Sequence, residues 1–93
     1  MSTYVFVHHT IKDAPAAFER GARLLEGDGA PAGVRVLQFC PSVDRSEVSC
    51  IVEGSVDAIR EYIDATLGDA SENAYFEIDG TLARGLPQAA VGA

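Results

Sequence analysis

The hydrophobic pattern changes period along the chain, and each change marks an element. Thr3 to His9 is a run of β-branched, aromatic and apolar residues closing on two histidines. It is too short for a helix and predicts a strand that is apolar on both faces, as a central strand is. Asp13 then offers an N-cap, Pro15 is tolerated in a first turn, and Ala14, Ala17, Phe18, Ala22 and Leu25 recur at helical spacing before Gly27. This predicts a helix over Ala14 to Glu26, followed by a glycine- and proline-rich loop to Gly33.

Val34 to Cys40, bounded by Pro41, and Val48 to Val52 read as two strands joined by the polar stretch around Asp44-Arg45-Ser46, a hairpin. Gly54-Ser55 supplies a stop and a cap. Ile59, Tyr62, Ile63 and Leu67 then form one helical stripe that ends at Gly68. Tyr75 to Ile78 reads as the last strand. Beyond Gly80 the chain is Ala- and Gly-rich without a sustained apolar stripe, which predicts a loosely held tail over 81–93 after a single domain over 1–80.

The order βαββαβ points to a ferredoxin-like α+β sandwich: a four-stranded antiparallel or mixed sheet with both helices on one face. In the arrangement predicted here, the first and third strands run parallel in the centre, the fourth flanks the first and the second flanks the third. Alternation then assigns Val5, Val7, Val34, Val36, Val48, Cys50, Val52, Phe76 and Ile78 to the helix side. Tyr4, Phe6, His8, Arg35, Leu37, Phe39, Ile51, Glu53, Tyr75 and Glu77 fall on the open side. Such a face is too apolar for water, so a homodimer packed sheet to sheet around a central cavity is expected, a dimeric α+β barrel.

Composition narrows the partners. The 93 residues carry 7 Lys and Arg against 14 Asp and Glu, a formal charge of -7, which repels a phosphate backbone and argues against nucleic acid. No apolar run approaches the roughly 18 residues of a membrane span, and no signal-peptide pattern opens the chain, so a cytoplasmic protein is expected. The two cysteines, Cys40 and Cys50, are too few for a disulfide framework and read as reduced, inert thiols. Whether they share a face depends on whether the hairpin loop holds an odd or an even number of residues. Gly27-Asp28-Gly29 lacks the lysine and helix of a phosphate loop, and no Cys-x-x-Cys or Gly-x-Ser-x-Gly occurs.

His8 and His9 are the only histidines. With parallel central strands they approach Glu53, and Arg35, Asn73 and Tyr75 gather at the same edge together with both helix N-termini, while His8, Glu53 and Glu77 share the cavity face. Consecutive strand residues point to opposite faces, so the two histidines do not chelate one ion within one chain. A ligand-binding set of His8, His9, Arg35, Glu53, Tyr75 and Glu77 follows, with His8, His9 and Glu53 as the donors that would suit a divalent transition metal such as nickel or zinc. The same imidazoles suit general-base work, and the plainest alternative is a buried histidine whose ring nitrogens are simply hydrogen-bonded.

Val7-His8-His9, Gly33-Val34, Cys50-Ile51-Val52-Glu53-Gly54 and the Asp69 to Ile78 segment with Glu72, Tyr75 and Glu77 resemble a family of small ferredoxin-like proteins, some of whose members bind nickel. The resemblance spans about residues 4–79 and implies a dimeric α+β barrel that binds a divalent metal through the strand-end histidines. Members carry further histidines in and after the second helix, where this chain reads Tyr62-Ile63-Asp64-Ala65-Thr66-Leu67-Gly68-Asp69. The expectation is a dimeric protein binding a small ligand or metal ion at the strand ends. The alternatives are a cofactor-independent enzyme of monooxygenase or isomerase type, with a histidine moving a proton on a small organic substrate, and a structural or regulatory interaction module.

Overall fold

Strand β1 (Tyr4–Ile11) sets the layers by its alternation: Val5, Val7 and His9 are buried, while Tyr4, Phe6 and His8 are half-buried on the other side. The computed structural model describes residues 3–86. Helix α1 (Ala14–Glu26) starts where Asp13 accepts a hydrogen bond from Ala16 N at 3.2 Å, with Pro15 in its first turn. It ends at Gly27, whose φ of 75° lets its N–H turn back to the Leu24 carbonyl. Strands β2 (Arg35–Pro41) and β3 (Glu47–Glu53) form the hairpin. Helix α2 (Val56–Leu67) is capped by Ser55, whose Oγ accepts from Ala58 N, and a single 3-10 turn, Gly68–Ala70, leads into β4 (Ser71–Glu77).

The sheet order is β2-β3-β1-β4, and every neighbouring pair is antiparallel. The predicted fold and strand order stand, and the parallel sense given to the first and third strands is corrected. β2 and β3 form a tight hairpin and so run in opposite senses. The long crossover through α1 brings β2 back parallel to β1, so β3, lying between them, is antiparallel to both.

Both helices pack on the face carrying Val5, Val7, Val48, Cys50 and Val52, with Leu24 from α1 and Ile59, Ile63 and Leu67 from α2 completing the core. The buried stripe of α1 is Ala17, Gly21 and Leu24, and not the predicted line through Ala22 and Leu25; Leu25 is 49% exposed. Small residues therefore form the seat of α1 on the sheet. At Gly21 an added Cβ would meet nothing within 4 Å.

Four face assignments also change. In β4, Tyr75 lies opposite the buried Val7 and Phe76 opposite Phe6, so Tyr75 joins the helix side and Phe76 the open side, where the Phe6 and Phe76 rings sit 6.1 Å apart. Glu77, opposite Val5, shares the helix-side phase but projects beyond the core and is exposed. In β2 an irregularity between Val36 and Gln38 inserts Leu37 and shifts the phase, which turns Phe39 inward against Phe18 at 6.2 Å. Cys40 is exposed and Cys50 buried, on opposite faces, the outcome an even-numbered hairpin loop gives. Of the tail placed at 81–93, residues 81–86 contain no regular element, and 87–93 lie outside the described residues. No described helix is long and apolar enough to cross a membrane.

Candidate functional site

The antiparallel centre separates the residues that a parallel one would have gathered. Glu53 lies opposite Tyr4, and His8 opposite Ser49. Four strand positions, about 13 Å, thus divide Glu53 from His8. Arg35 lies across from Glu53, with its Nη2 3.5 Å from Oε1, at the far end of the sheet. A surface depression of about 410 Å³ opens there between Thr3, Gly33, Val34, Glu53 and Gly54. The N-terminus of α2 follows that end and the N-terminus of α1 follows the histidine end, so they too are apart.

His8 lies on the open face, where its Nε2 is 2.7 Å from Glu47 Oε1. His9 lies on the helix side, as alternation requires. The implied metal set of His8, His9 and Glu53 therefore forms no common donor cluster within one chain. Among the described residues no group of three or more His, Cys, Asp or Glu side chains is arranged to hold a metal ion. Within a single chain the donors of that expectation are too far apart to share an ion.

What the fold does assemble is a polar chain around His9. Asp64 on α2 accepts from Asn73 Nδ2 at 3.0 Å and from the Tyr75 hydroxyl at 2.5 Å. Asn73, opposite His9 in the β1–β4 ladder, turns its Oδ1 to His9 Nδ1 at 2.7 Å and also accepts there from Ser71 Oγ at 2.8 Å. The direction of these bonds is forced. A carboxylate only accepts, so the Asn73 amide must face Asp64 with its nitrogen and His9 with its oxygen, and His9 must carry its proton on Nδ1. Nε2 is left with the lone pair.

His9 is 2% exposed, yet Nε2 makes no hydrogen bond among the described residues. Nor is it an orphaned, sealed atom, since the described residues include no fully buried side-chain nitrogen or oxygen without a partner. The imidazole lines a hollow between α1 and the sheet, with Ala17, Gly21 and Leu24 as roof and Val36, Phe39, Val48 and Cys50 as floor. His9 is the only lining residue whose side chain bears nitrogen or oxygen. The enclosed volume is about 20 Å³, widening to about 400 Å³ when the open mouth is counted. One water would fit the enclosed part, but it would find a single polar partner there instead of the two to four a buried water needs. The space is apolar.

Burial holds the His9 imidazole below its ordinary pKa of 6.5, against the Asn73 hydrogen bond, which raises it; His8 nearby lowers it and Asp64 raises it. The imidazole is thus neutral at pH 7. Burial pushes the Cys50 thiol up to about 12, so it stays protonated. Burial and the Asp64 hydrogen bond raise Tyr75 in the same direction.

The His9 shift has a sign that stability measurements read. Between pH 6.5 and the lower folded-state value, the unfolded chain binds the proton and the folded chain does not, so stability falls as pH drops through that window and is level above it. Urea denaturation of the wild type should show this slope, and His9→Leu should flatten it; an unchanged slope in that variant would assign the effect to other groups.

Of the residues singled out by pattern, the fold brings His9 and Tyr75 together through Asn73 and Asp64 and pairs Arg35 with Glu53 at the other end of the sheet, while His8 and Glu77 join neither group. Asp64 escaped notice because it lies off the apolar stripe of α2. Asn73 carried a usable signal: counted back from Tyr75 by twos, it is a polar residue at a core-facing strand position, and such a residue needs a partner. No family model, no curated protein and no solved structure matches this chain.

Proposed function

We propose that this protein binds a small molecule with an apolar body and one hydrogen-bond donor in the hollow under α1, the donor meeting His9 Nε2. The observation that carries this reading is the unpaired Nε2 on a buried, tautomerically fixed imidazole beside an otherwise apolar hollow. Small-molecule sites combine an apolar lining with a few placed polar groups in this way. At about 20 Å³ the enclosed part is smaller than any such ligand, so binding opens it, with α1 giving way on the side where only Ala17 and Gly21 seat it and where the exposed Leu25 borders the mouth.

Phenol and toluene form a matched probe pair, equal in shape and different in one donor. Phenol is expected to bind roughly tenfold more tightly, the value of one net hydrogen bond. Chemical-shift titration should place both ligands next to His9, Ala17 and Cys50. Gly21→Ala should weaken binding by taking up part of the hollow while the chain stays folded, because a Cβ there meets nothing within 4 Å and alanine is the better helix former. Equal affinities for the two ligands, or binding undiminished in Gly21→Ala, would reject the site.

A further inference from the structure

We propose that the His9 site is catalytic, with Nε2 acting as general base on a carbon-bound proton of a flat, apolar substrate, and that Asp64 and Asn73 are its positioning residues. The inference rests on the binding reading above and goes further, from a hydrogen-bond acceptor to a base. It starts from the relay itself: Asp64 Oδ1, Asn73 Nδ2 and Oδ1, and His9 Nδ1 form an unbroken line of bonds at 3.0 and 2.7 Å that ends on an imidazole lining the hollow, its Nε2 unpaired. A histidine kept only for packing has no need of an anion behind it. A base does, because the proton gained at Nε2 turns the ring into a cation, and Nδ1–H then bonds an amide oxygen polarised by the Asp64 carboxylate.

The surroundings suit the same task. From β1 the adjacent charge-bearing group is His8, on the opposite face; from α2 it is Asp64; from β4 it is the Tyr75 hydroxyl, committed to Asp64; from β3 it is the Cys50 thiol. No charged side chain of α1 lines the hollow. Cys50 and Tyr75 both hold their protons at neutral pH, which leaves the His9 imidazole as the one basic group lining the space. An apolar lining withholds water from the Nε2 lone pair and supplies no donor to a developing oxyanion, so it suits a flat substrate whose acidic hydrogen lies next to a carbonyl or imine conjugated widely enough to spread the charge itself.

In such a substrate the C–H bond breaks, its electron pair moves into the conjugated system as an enolate or enamide, and the proton rests on Nε2. Return of that proton to a different carbon completes an isomerisation with no oxidant, reductant or co-reactant. The site has the makings of a proton-shifting isomerase.

The probe is 5-nitrobenzisoxazole, a flat aromatic whose ring opening needs only a base. The base takes the C3 proton, the freed pair forms the nitrile, the N–O bond breaks and the oxygen leaves as a coloured phenolate. Competition with phenol in the chemical-shift titration first establishes entry. With the wild-type chain the rate should exceed that of free imidazole at equal concentration by about a hundredfold or more. It should rise with pH to a midpoint below 6.5, then level off, and His9 Hε1 should titrate with the same midpoint in the same protein, a comparison that needs no variant. His9→Gln should return to the free-imidazole level or lower. Asp64→Asn should still bind the probe but react more slowly, with the midpoint moved further down because the anion that raises His9 is gone. His8→Gln should keep the plateau rate. A probe that displaces phenol yet reacts no faster in wild type than in His9→Gln overturns the base and leaves the binding reading intact. A probe and phenol that both fail to enter overturn the two together.

Discussion

Gly54→Val is expected to destabilise the protein by about 4 kcal/mol, with strained backbone and steric overlap each contributing about 1–3 kcal/mol. Gly54 follows β3 and precedes the Ser55 cap of α2, and it turns the chain there with a φ of +139°, a region closed to residues with a Cβ. A Cβ built on it would stand 3.0 Å from Val34 Cγ2 and 3.3 Å from the Gly33 carbonyl oxygen. Backing away is costly, because the Gly54 N–H is tied to the Thr3 carbonyl at 2.8 Å. The consequence reaches the site, since this turn sets where α2 lies and therefore where Asp64 meets Asn73. Gly29→Val is the control. Its φ of +75° is also a glycine conformation, but nothing lies within 4 Å of the added Cβ, so it carries the backbone cost alone. Thermal melts should show Gly54→Val losing about 15 °C or more and Gly29→Val markedly less. Equal losses would mean that Val34 and Gly33 yield without cost.

The contrast between these two glycines illustrates which features of this chain were legible in its sequence. Element identity was legible, because it rests on local signals: the Asp13 and Ser55 caps, the Gly27 stop and the run Tyr4 to Val7 all act where they were read. The phase of a strand was not. An apolar pair such as Tyr75-Phe76 fits either face, and only pairing against Val7 and Phe6 decides it. The extra residue at Leu37 leaves no mark in composition, yet it turns Phe39 inward and makes that ring part of the hollow's floor. The site was obscured by strand sense. The crossovers alone leave the sense of β3 open; only the hairpin makes it antiparallel to β1, which puts Arg35 and Glu53 at the opposite end of the sheet from the histidines. Alternation alone had already separated the two histidines correctly, and the one facing the helices, His9, is the one with a relay behind it.

Ile63→Ala should separate stability from binding, moving them in opposite directions. Ile63 is fully buried, packs in the core between α2 and the sheet, and borders the hollow beside His9. Truncation should cost about 3 kcal/mol, within the range for large-to-alanine changes in a core. In a domain of this size that is a large share of the total. The atoms removed add their volume to a space of only about 20 Å³, so the strain of admitting phenol falls and its affinity should rise several-fold. Ile59→Ala isolates the cause, since Ile59 is equally buried on the same helix but does not line the hollow. It should lose comparable stability with phenol affinity unchanged. Urea denaturation with and without saturating phenol reads both quantities at once, because a ligand bound only to the folded state adds RT ln(1 + [L]/Kd) to stability. If phenol restores more stability to Ile63→Ala than to Ile59→Ala, the ligand sits where Ile63 was cut away. If it restores the same to both, the binding site lies elsewhere, and the His9 relay serves the core alone.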